Sequence, residues 1–278
     1  MTLAVFLAVL GAALLHASWN AVLKQGSDKL TNMLVMTGTQ GLLGLAIALS
    51  MDWPKSEAWP WLVASGILHA FYKIFLISAY EHGDLSRVYP IARGTAPALV
   101  LGFGVFLLSD DMTLFEVSGI VILVAGILTM AHGVFSSGES RRLLPFALGS
   151  ALATAGYSIV DGLGARIAGD ATLYVAWMFA LDLIFLLPSS LIVFGRIKLP
   201  KTGRGWAPGM AAAIASYGAY WIVVWAMTQA PIALVTALRE TSILFAVLIG
   251  WFFFHEKMGK GKIIAACLIL TGVVLTRL

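Results

Sequence analysis

RGTAPALVLGFGVFLLSDDM (93–112) lies over RETSILFAVLIGWFFFHEKM (239–258) without a gap when the chain is slid along itself by 146 residues. Arg93 meets Arg239, Thr95 meets Thr241, Gly104 meets Gly250, Phe106 meets Phe252, Asp110 meets Glu256 and Met112 meets Met258. Further on, Gly126 meets Gly272. Matches this numerous and this well ordered point to a duplication. Earlier segments agree more weakly, GAALLHASWNAVL (11–23) over GSALATAGYSIVD (149–161). The chain therefore reads as two related halves, 1–138 and 139–278.

Composition sets the solvent. Of 278 residues, 60% are hydrophobic and 12% charged, with mean hydropathy +0.91. Soluble domains carry about 25% charged residues, so lipid must surround most of this chain. A membrane helix needs about 20 mostly apolar residues. Cutting at KQGSDK, DWPKSEA, DDMT, SSGESRR, RIKLPKTGR and similar clusters predicts ten spans: 3–23, 31–51, 59–81, 86–108, 114–135, 143–165, 173–195, 205–228, 232–253 and 260–277. The connectors are too short to be domains. Five crossings per half is an odd number, so the second half enters the membrane the opposite way round. Halves inverted in this way rock about a midplane site in many transporters. The expected fold class is an all-α membrane protein, ten transmembrane helices as two inverted five-helix repeats. Spans 6 and 8 are rich in small residues, which lets helices approach closely in lipid.

Several classes are excluded or disfavoured. Residues 1–23 contain no Asp, Glu, Lys or Arg, so the basic region of a secretory signal is missing and the first span reads as retained. The net charge of +4 sits in short connectors and argues against a nucleic-acid partner. Cys267 stands alone in an apolar run and reads as a small packing residue. Nothing resembles a P-loop, which argues against ATP drive. No cofactor is expected, and no metal, because no Cys or paired His spacing suits one.

VYPIARGTAPALV (88–100) with the acidic turn SDDMT (109–113), and WFFFHEKMGKGKIIAACLILTGVVL (251–275), resemble the drug/metabolite transporter superfamily, in particular its ten-span EamA-like branch. HASWNA (16–21) is similar to an EamA-like subgroup associated with phosphonate utilisation. Two positions depart from the family pattern: Ile243 stands where a proline is frequent, and Ser109-Asp110 where Gly-Glu is favoured. The resemblance implies alternating access, with a cavity lined by spans 1, 3, 4, 6, 8 and 9.

Charges inside the spans nominate the site. An arginine in mid-span costs about 2.5–3.5 kcal/mol on insertion scales and marks function by default. Arg93 lies in a span that also holds Pro90 and Pro97, each withdrawing one backbone N–H and so predicting a kink. Tyr89, Arg93 and Pro97 share a face; a phenol and a guanidinium there suit a carboxylate or phosphonate. The competing reading is an arginine neutralised by a protein carboxylate, serving only to lock helices. Away from span ends, Lys73, Arg93 and Arg239 oppose Asp161, Asp182 and Glu240, so complete pairing is arithmetically possible. Arg239 and Glu240 are adjacent, about 100° apart on a helix; one of them, Arg239 by the repeat, is expected to point inward.

Span 1 adds His16, Trp19 and Asn20, and span 3 adds His69, Tyr72 and Lys73. The histidines read equally as structural residues or as proton carriers. Tyr157 of span 6 joins the candidates. Tyr217, Tyr220, Trp221 and Trp225 follow one face of span 8, serving packing, lipid or substrate. Trp53, Trp59 and Trp61 read as an interfacial belt. Substrate contacts are thus expected from His16, Trp19, Asn20, Tyr72, Lys73, Tyr89, Arg93, Tyr157, Tyr217, Tyr220, Trp221 and Arg239, with proton coupling from Glu240, Asp161 or His69.

The function expected is secondary transport of a small polar metabolite, amino-acid-like or bearing a phosphonate or carboxylate, possible coupling being to protons. The alternatives are a proton-coupled exporter of hydrophobic cationic drugs and, in another class, an intramembrane enzyme, for which no nucleophile–base motif exists. The partners expected are a small-molecule substrate and the lipid bilayer, with no nucleic acid, the chain acting as monomer or homodimer in a bacterial inner (plasma) membrane. Connectors on the side of the termini, with the C-terminus, carry Lys55, Arg166 and Arg277; those opposite carry eleven basic residues. The positive-inside rule then places the termini outside.

Overall fold

The computed structural model describes residues 1–24, 29–82, 85–136, 142–195, 199–200, 203–255 and 259–278. Among these are eleven α-helices and no strand. They are α1 (Leu3–Lys24), α2 (Lys29–Ala48), α3 (Trp59–His82), α4 (Leu85–Leu107), α5 (Leu114–Ser136), α6 (Leu143–Ala168), α7 (Ala171–Phe194), α8 (Gly203–Met227), α9 (Ile232–Arg239), α10 (Ser242–Phe254) and α11 (Lys260–Leu275). A single 3-10 turn, Ser56–Ala58, leads into α3. Seven stretches are long and apolar enough to cross a membrane by length and composition, Ile232–Phe253 among them. With α4, α5 and α11, they make the ten predicted spans. The ninth is broken: α9 ends at Arg239 and α10 begins at Ser242.

Local chemistry fixes the ends. Asp170 caps α7, its Oδ1 accepting from the backbone N–H of Thr172 (2.7 Å) and Leu173 (3.2 Å), which satisfies donors a helix start leaves open. Gly169 supplies the left-handed turn out of α6, with φ of 78°, a conformation glycine adopts without a Cβ penalty. Thr113 and Glu116 form a reciprocal capping box at the start of α5.

The two halves exchange in the packing. α1 lies on α8 as α3 lies on α6, α3 on α7 as α2 on α8, and α4 on α6 as α1 on α9 and α10. The contacts α2–α7 and α5–α11 map onto themselves. Residues report the same symmetry. A Cβ on Gly126 would lie 2.9 Å from the backbone N of Ile269, and one on Gly272 would lie 2.7 Å from the N of Leu123. Those four positions are related by the 146-residue repeat. Both termini share one face, where Arg277 Nη1 donates to the carbonyl of Met1 at 2.8 Å. On that face Trp53, Trp59 and Trp177 form an aromatic cluster, with Trp53 4.9 Å from Trp177. Cys267 is exposed on the outside of α11 and not packed, contrary to the reading from the apolar run.

Candidate functional site

Among the described residues two charged groups are buried within the bundle, and they differ in place. The first lies between α2, α3 and α7. Lys73 Nζ is paired with Asp182 and donates to Thr37 Oγ1 at 3.0 Å. Side chains of Lys73 and Asp182 are 5% and 1% exposed, and Asp182 Oδ1 has no hydrogen-bond partner among the described residues. This is helix-locking by ion pair, and it sets Lys73 apart from the other candidates.

The second group lies where the halves meet. Glu240, fully buried, stands between two guanidiniums. Its Oε2 accepts from Arg93 Nε at 3.0 Å. Its Oε1 accepts from Arg239 Nε at 3.3 Å and Nη2 at 3.2 Å. Arg93 Nη2 donates to His16 Nε2 at 3.1 Å, which leaves that nitrogen as an acceptor and puts the proton of a neutral imidazole on Nδ1. His16 packs edge-on against Trp19 at 4.9 Å.

The same assembly continues through aromatic rings. The Arg239 guanidinium sits 5.8 Å from the Tyr157 ring, within cation–π range. Tyr157 stacks on His69 at 4.1 Å, with Tyr72 and Tyr220 edge-on to it. His69 Nε2 donates to Asp161 Oδ2 at 3.0 Å. Asp161 also accepts from Tyr220 and, on Oδ1, from Tyr174 at 3.2 Å. Phe179 stacks on Tyr217 at 4.8 Å. Seven helices thus contribute to one polar and aromatic assembly: α1, α3, α4, α6, α7, α8 and α9.

Both Arg239 and Glu240 face inward, so the expectation that only one of the pair points into the bundle is corrected. The helix break explains it. Glu240 N–H donates to the carbonyl of Ala237 and Thr241 N–H to that of Leu238, each at 3.0 Å. These are i to i−3 bonds, tighter than an α-helix, and they change the angle between successive side chains. Thr241 Oγ1 adds a bond to the Leu238 carbonyl at 2.7 Å. Every backbone group at a break in lipid needs such a partner. The arithmetic of three cations against three anions is realised with unequal pairing, since Arg93 and Arg239 contact the same carboxylate and Asp161 is held by His69 and two tyrosines.

Other candidates are placed less centrally. Trp221 is 36% exposed and its Nε1 donates to Thr172 Oγ1 at 3.1 Å, so it lies away from the assembly. Asn20 Nδ2 donates to the carbonyl of His16 in its own helix at 2.8 Å. The side chains of Tyr89 and Pro90 lie outside the described residues. α4 runs as one helix through Pro90 and Pro97. Tyr217 OH and Trp19 Nε1 are buried without a hydrogen-bond partner among the described residues, as are Thr236 Oγ1 and Ser242 Oγ flanking the Arg239–Glu240 break. The polar run TALRETS (236–242) within an apolar span was the signal for these last two. Tyr174 and Phe179 gave no signal of their own in an apolar helix. Among the described residues no group of three His, Cys, Asp or Glu is placed to hold a metal.

A bundle of inverted halves with a buried charged site at their junction is the architecture of a membrane transporter. The EamA-like transporter family model matches residues 3–131 and 142–278, and the chain belongs to that family, within the drug/metabolite transporter superfamily. Its surroundings are therefore lipid, and its substrate a small molecule. A solved crystal structure, titled only as that of a protein, aligns with a TM-score of 0.77 at 20% identity over 99% of this chain and 98% of its own. That likeness speaks to the fold. No curated protein matches the chain.

Proposed function

We propose that the protein is a secondary transporter of a small polar metabolite carrying a carboxylate or phosphonate, amino-acid-like molecules included, and that it works by alternating access. The observation that carries this reading is Glu240 held between Arg93 and Arg239 at the junction of the halves. A carboxylate there occupies the place of a substrate anion. When the incoming anion takes Arg93, with two parallel N–H···O bonds available to it, Glu240 is displaced and either stays on Arg239 or takes a proton. In the second case substrate binding and a proton are linked through one side chain. The halves, 1–138 and 139–278, rock about this junction. The basic connectors opposite the termini support termini outside the cytoplasm of a bacterial inner membrane.

Uptake of radiolabelled amino acids, carboxylates and phosphonates into proteoliposomes, with and without a pH gradient, tests the reading. Arg93→Ala is expected to abolish uptake of the accepted substrate while the protein stays monodisperse. Glu240→Gln is expected to retain exchange and lose accumulation driven by pH. Normal uptake by Arg93→Ala would refute the assignment.

A second reading has its own observation. Asp161 sits among Tyr174, Tyr220 and His69, an acid in an aromatic surround that suits a lipophilic cation. In the same assay, efflux of such cations abolished by Asp161→Asn but untouched by Arg93→Ala selects this reading. His69, the imidazole on Asp161, then becomes the group that exchanges a proton with it.

A further inference from the structure

Arg166 and Asp110 make a clamp that neither charged group above includes. Asp110 follows α4 in the first half, and Arg166 ends α6 in the second. Arg166 Nη1 donates to Asp110 Oδ1 at 2.7 Å and Nη2 to Oδ2 at 3.2 Å. Arg166 Nε donates to the carbonyl of Met227 at 2.9 Å and Nη2 to that of Ala230 at 3.0 Å. Asp110 Oδ2 accepts in turn from the backbone N–H of Ile232 at 2.9 Å. One ion pair thus fastens the connector after α4 to the ends of α6 and α8 and to the start of α9. The clamp is on the face of the termini.

Its position is over the site. Asp161 lies five residues deeper on α6, and Arg239 lies seven residues deeper on α9, about 8 and 10 Å at 1.5 Å per residue. On α9 between Ile232 and Arg239 is Thr236, fully buried, its hydroxyl without a partner among the described residues. A cavity of about 460 Å³ opens beside the clamp, walled by Arg166, Gly169, Asp170, Thr172, Trp225 and Gln229 among others. Arg166 lines that cavity, and the side chains of the pair are 30% and 15% exposed. The Lys73–Asp182 pair, at 5% and 1%, has no such access. An ion pair that water can replace opens at low cost, whereas parting a buried one strands two charges.

We propose that Arg166–Asp110 is the latch of the pathway on the face of the termini, and that the cavity beside it is the vestibule of that pathway. The described structure is latched. Opening exchanges the Asp110 carboxylate on Arg166 for water or for a substrate anion in the vestibule, frees the start of α9, and exposes Thr236 and then Arg239. The proposal rests on the transport reading, since a latch implies a pathway, but its test uses no substrate. An unproductive substrate search leaves it standing, and its failure leaves the Arg93 assignment standing.

The test is thiol labelling of the full chain in detergent, in a Cys267→Ala background, with 2-sulfonatoethyl methanethiosulfonate as probe. Two reporters are compared: Thr236→Cys beneath the latch, and Ala265→Cys, which is fully buried on α11 outside the pathway. Arg166→Gln is expected to speed modification at 236 at least tenfold and to leave 265 unchanged. Equal rates at 236 with and without Arg166→Gln would overturn the latch. If Arg166→Gln accelerates both reporters, the fold has loosened, and Asp110→Asn decides. Its amide oxygen still accepts from Ile232 while the charge is gone. Selective acceleration at 236 in Asp110→Asn sustains the latch, and an unchanged rate there refutes it.

Discussion

α4 and the α9–α10 pair are the same span in the two halves, and they behave in opposite ways. α4 carries Pro90 and Pro97 and runs unbroken from Leu85 to Leu107. Its counterpart has no proline between 232 and 254, yet it breaks after Arg239. The residue at the break explains more than proline does. Glu240 occupies the repeat position of Gly94. In the first half, Gly94 lets α4 close onto α5: a Cβ there would sit 2.5 Å from Cγ2 of Ile127. In the second half a carboxylate stands instead, turned inward to two guanidiniums. At this one position the duplicated span serves packing in the first half and supplies the carboxylate of the ion site in the second, while Arg93 and Arg239 serve that site from both. In lipid, a helix interruption follows from the partners available to its freed groups, and here Thr241 and two tight backbone bonds supply them.

The largest expected effect comes from emptying the ion site. Glu240→Ala leaves Arg93 and Arg239 facing each other without the carboxylate they share, and uncompensated buried charge costs about 3–5 kcal/mol. Thermal unfolding in detergent should show the lowest midpoint of this series, partly restored when Arg239→Met is added. A midpoint equal to wild type would mean that the two arginines do not depend on Glu240.

Filling the packing surface should come next. Gly94→Ala drives a methyl group into a stiff β-branched neighbour, and overpacking of this kind costs about 1–3 kcal/mol. The loss should vanish in an Ile127→Ala background, which lacks Cγ2: there Gly94→Ala should no longer lower the unfolding midpoint. A stabilised Gly94→Ala variant would mean α4 does not approach α5 so closely.

Smallest should be Pro97→Ala. It returns one N–H to a helix that is already continuous, and neighbours in the bundle already satisfy the freed groups, so stability should change by less than about 1 kcal/mol rather than the roughly 3 kcal/mol of a soluble helix interior. A loss well above that would show that α4 depends on its proline after all.

Much of this was legible in the sequence. All ten spans fall where the apolar runs put them, because in lipid every span must satisfy its own backbone and length is set by bilayer thickness. The pairing of Arg93 with Arg239 across the junction followed from the repeat. The break at Glu240 did not, since no proline marks it and its tight turn depends on partners supplied only in the fold. Trp221 shares a helical stripe with Tyr217 and Tyr220 but ends exposed against Thr172; periodicity gives a face, not what packs on it. Asp110 and Arg166 were visible only as connector charges, because 56 residues separate them and nothing local announces a bidentate pair. The nearness of Tyr174 to Asp161 left no mark in the sequence for the same reason.

The direct measurement is uptake of the radiolabelled amino-acid, carboxylate and phosphonate panel by proteoliposomes holding wild type or Arg93→Lys. Lysine keeps the charge but loses the planar fork that grips an anion with two bonds. The expected result is that wild type accumulates at least one anion-bearing member of the panel. Arg93→Lys, folded and monodisperse, should then take it up at least tenfold more slowly at subsaturating concentration. Equal uptake by the two proteins, or uptake of lipophilic cations alone, would contradict a substrate anion bound at Arg93.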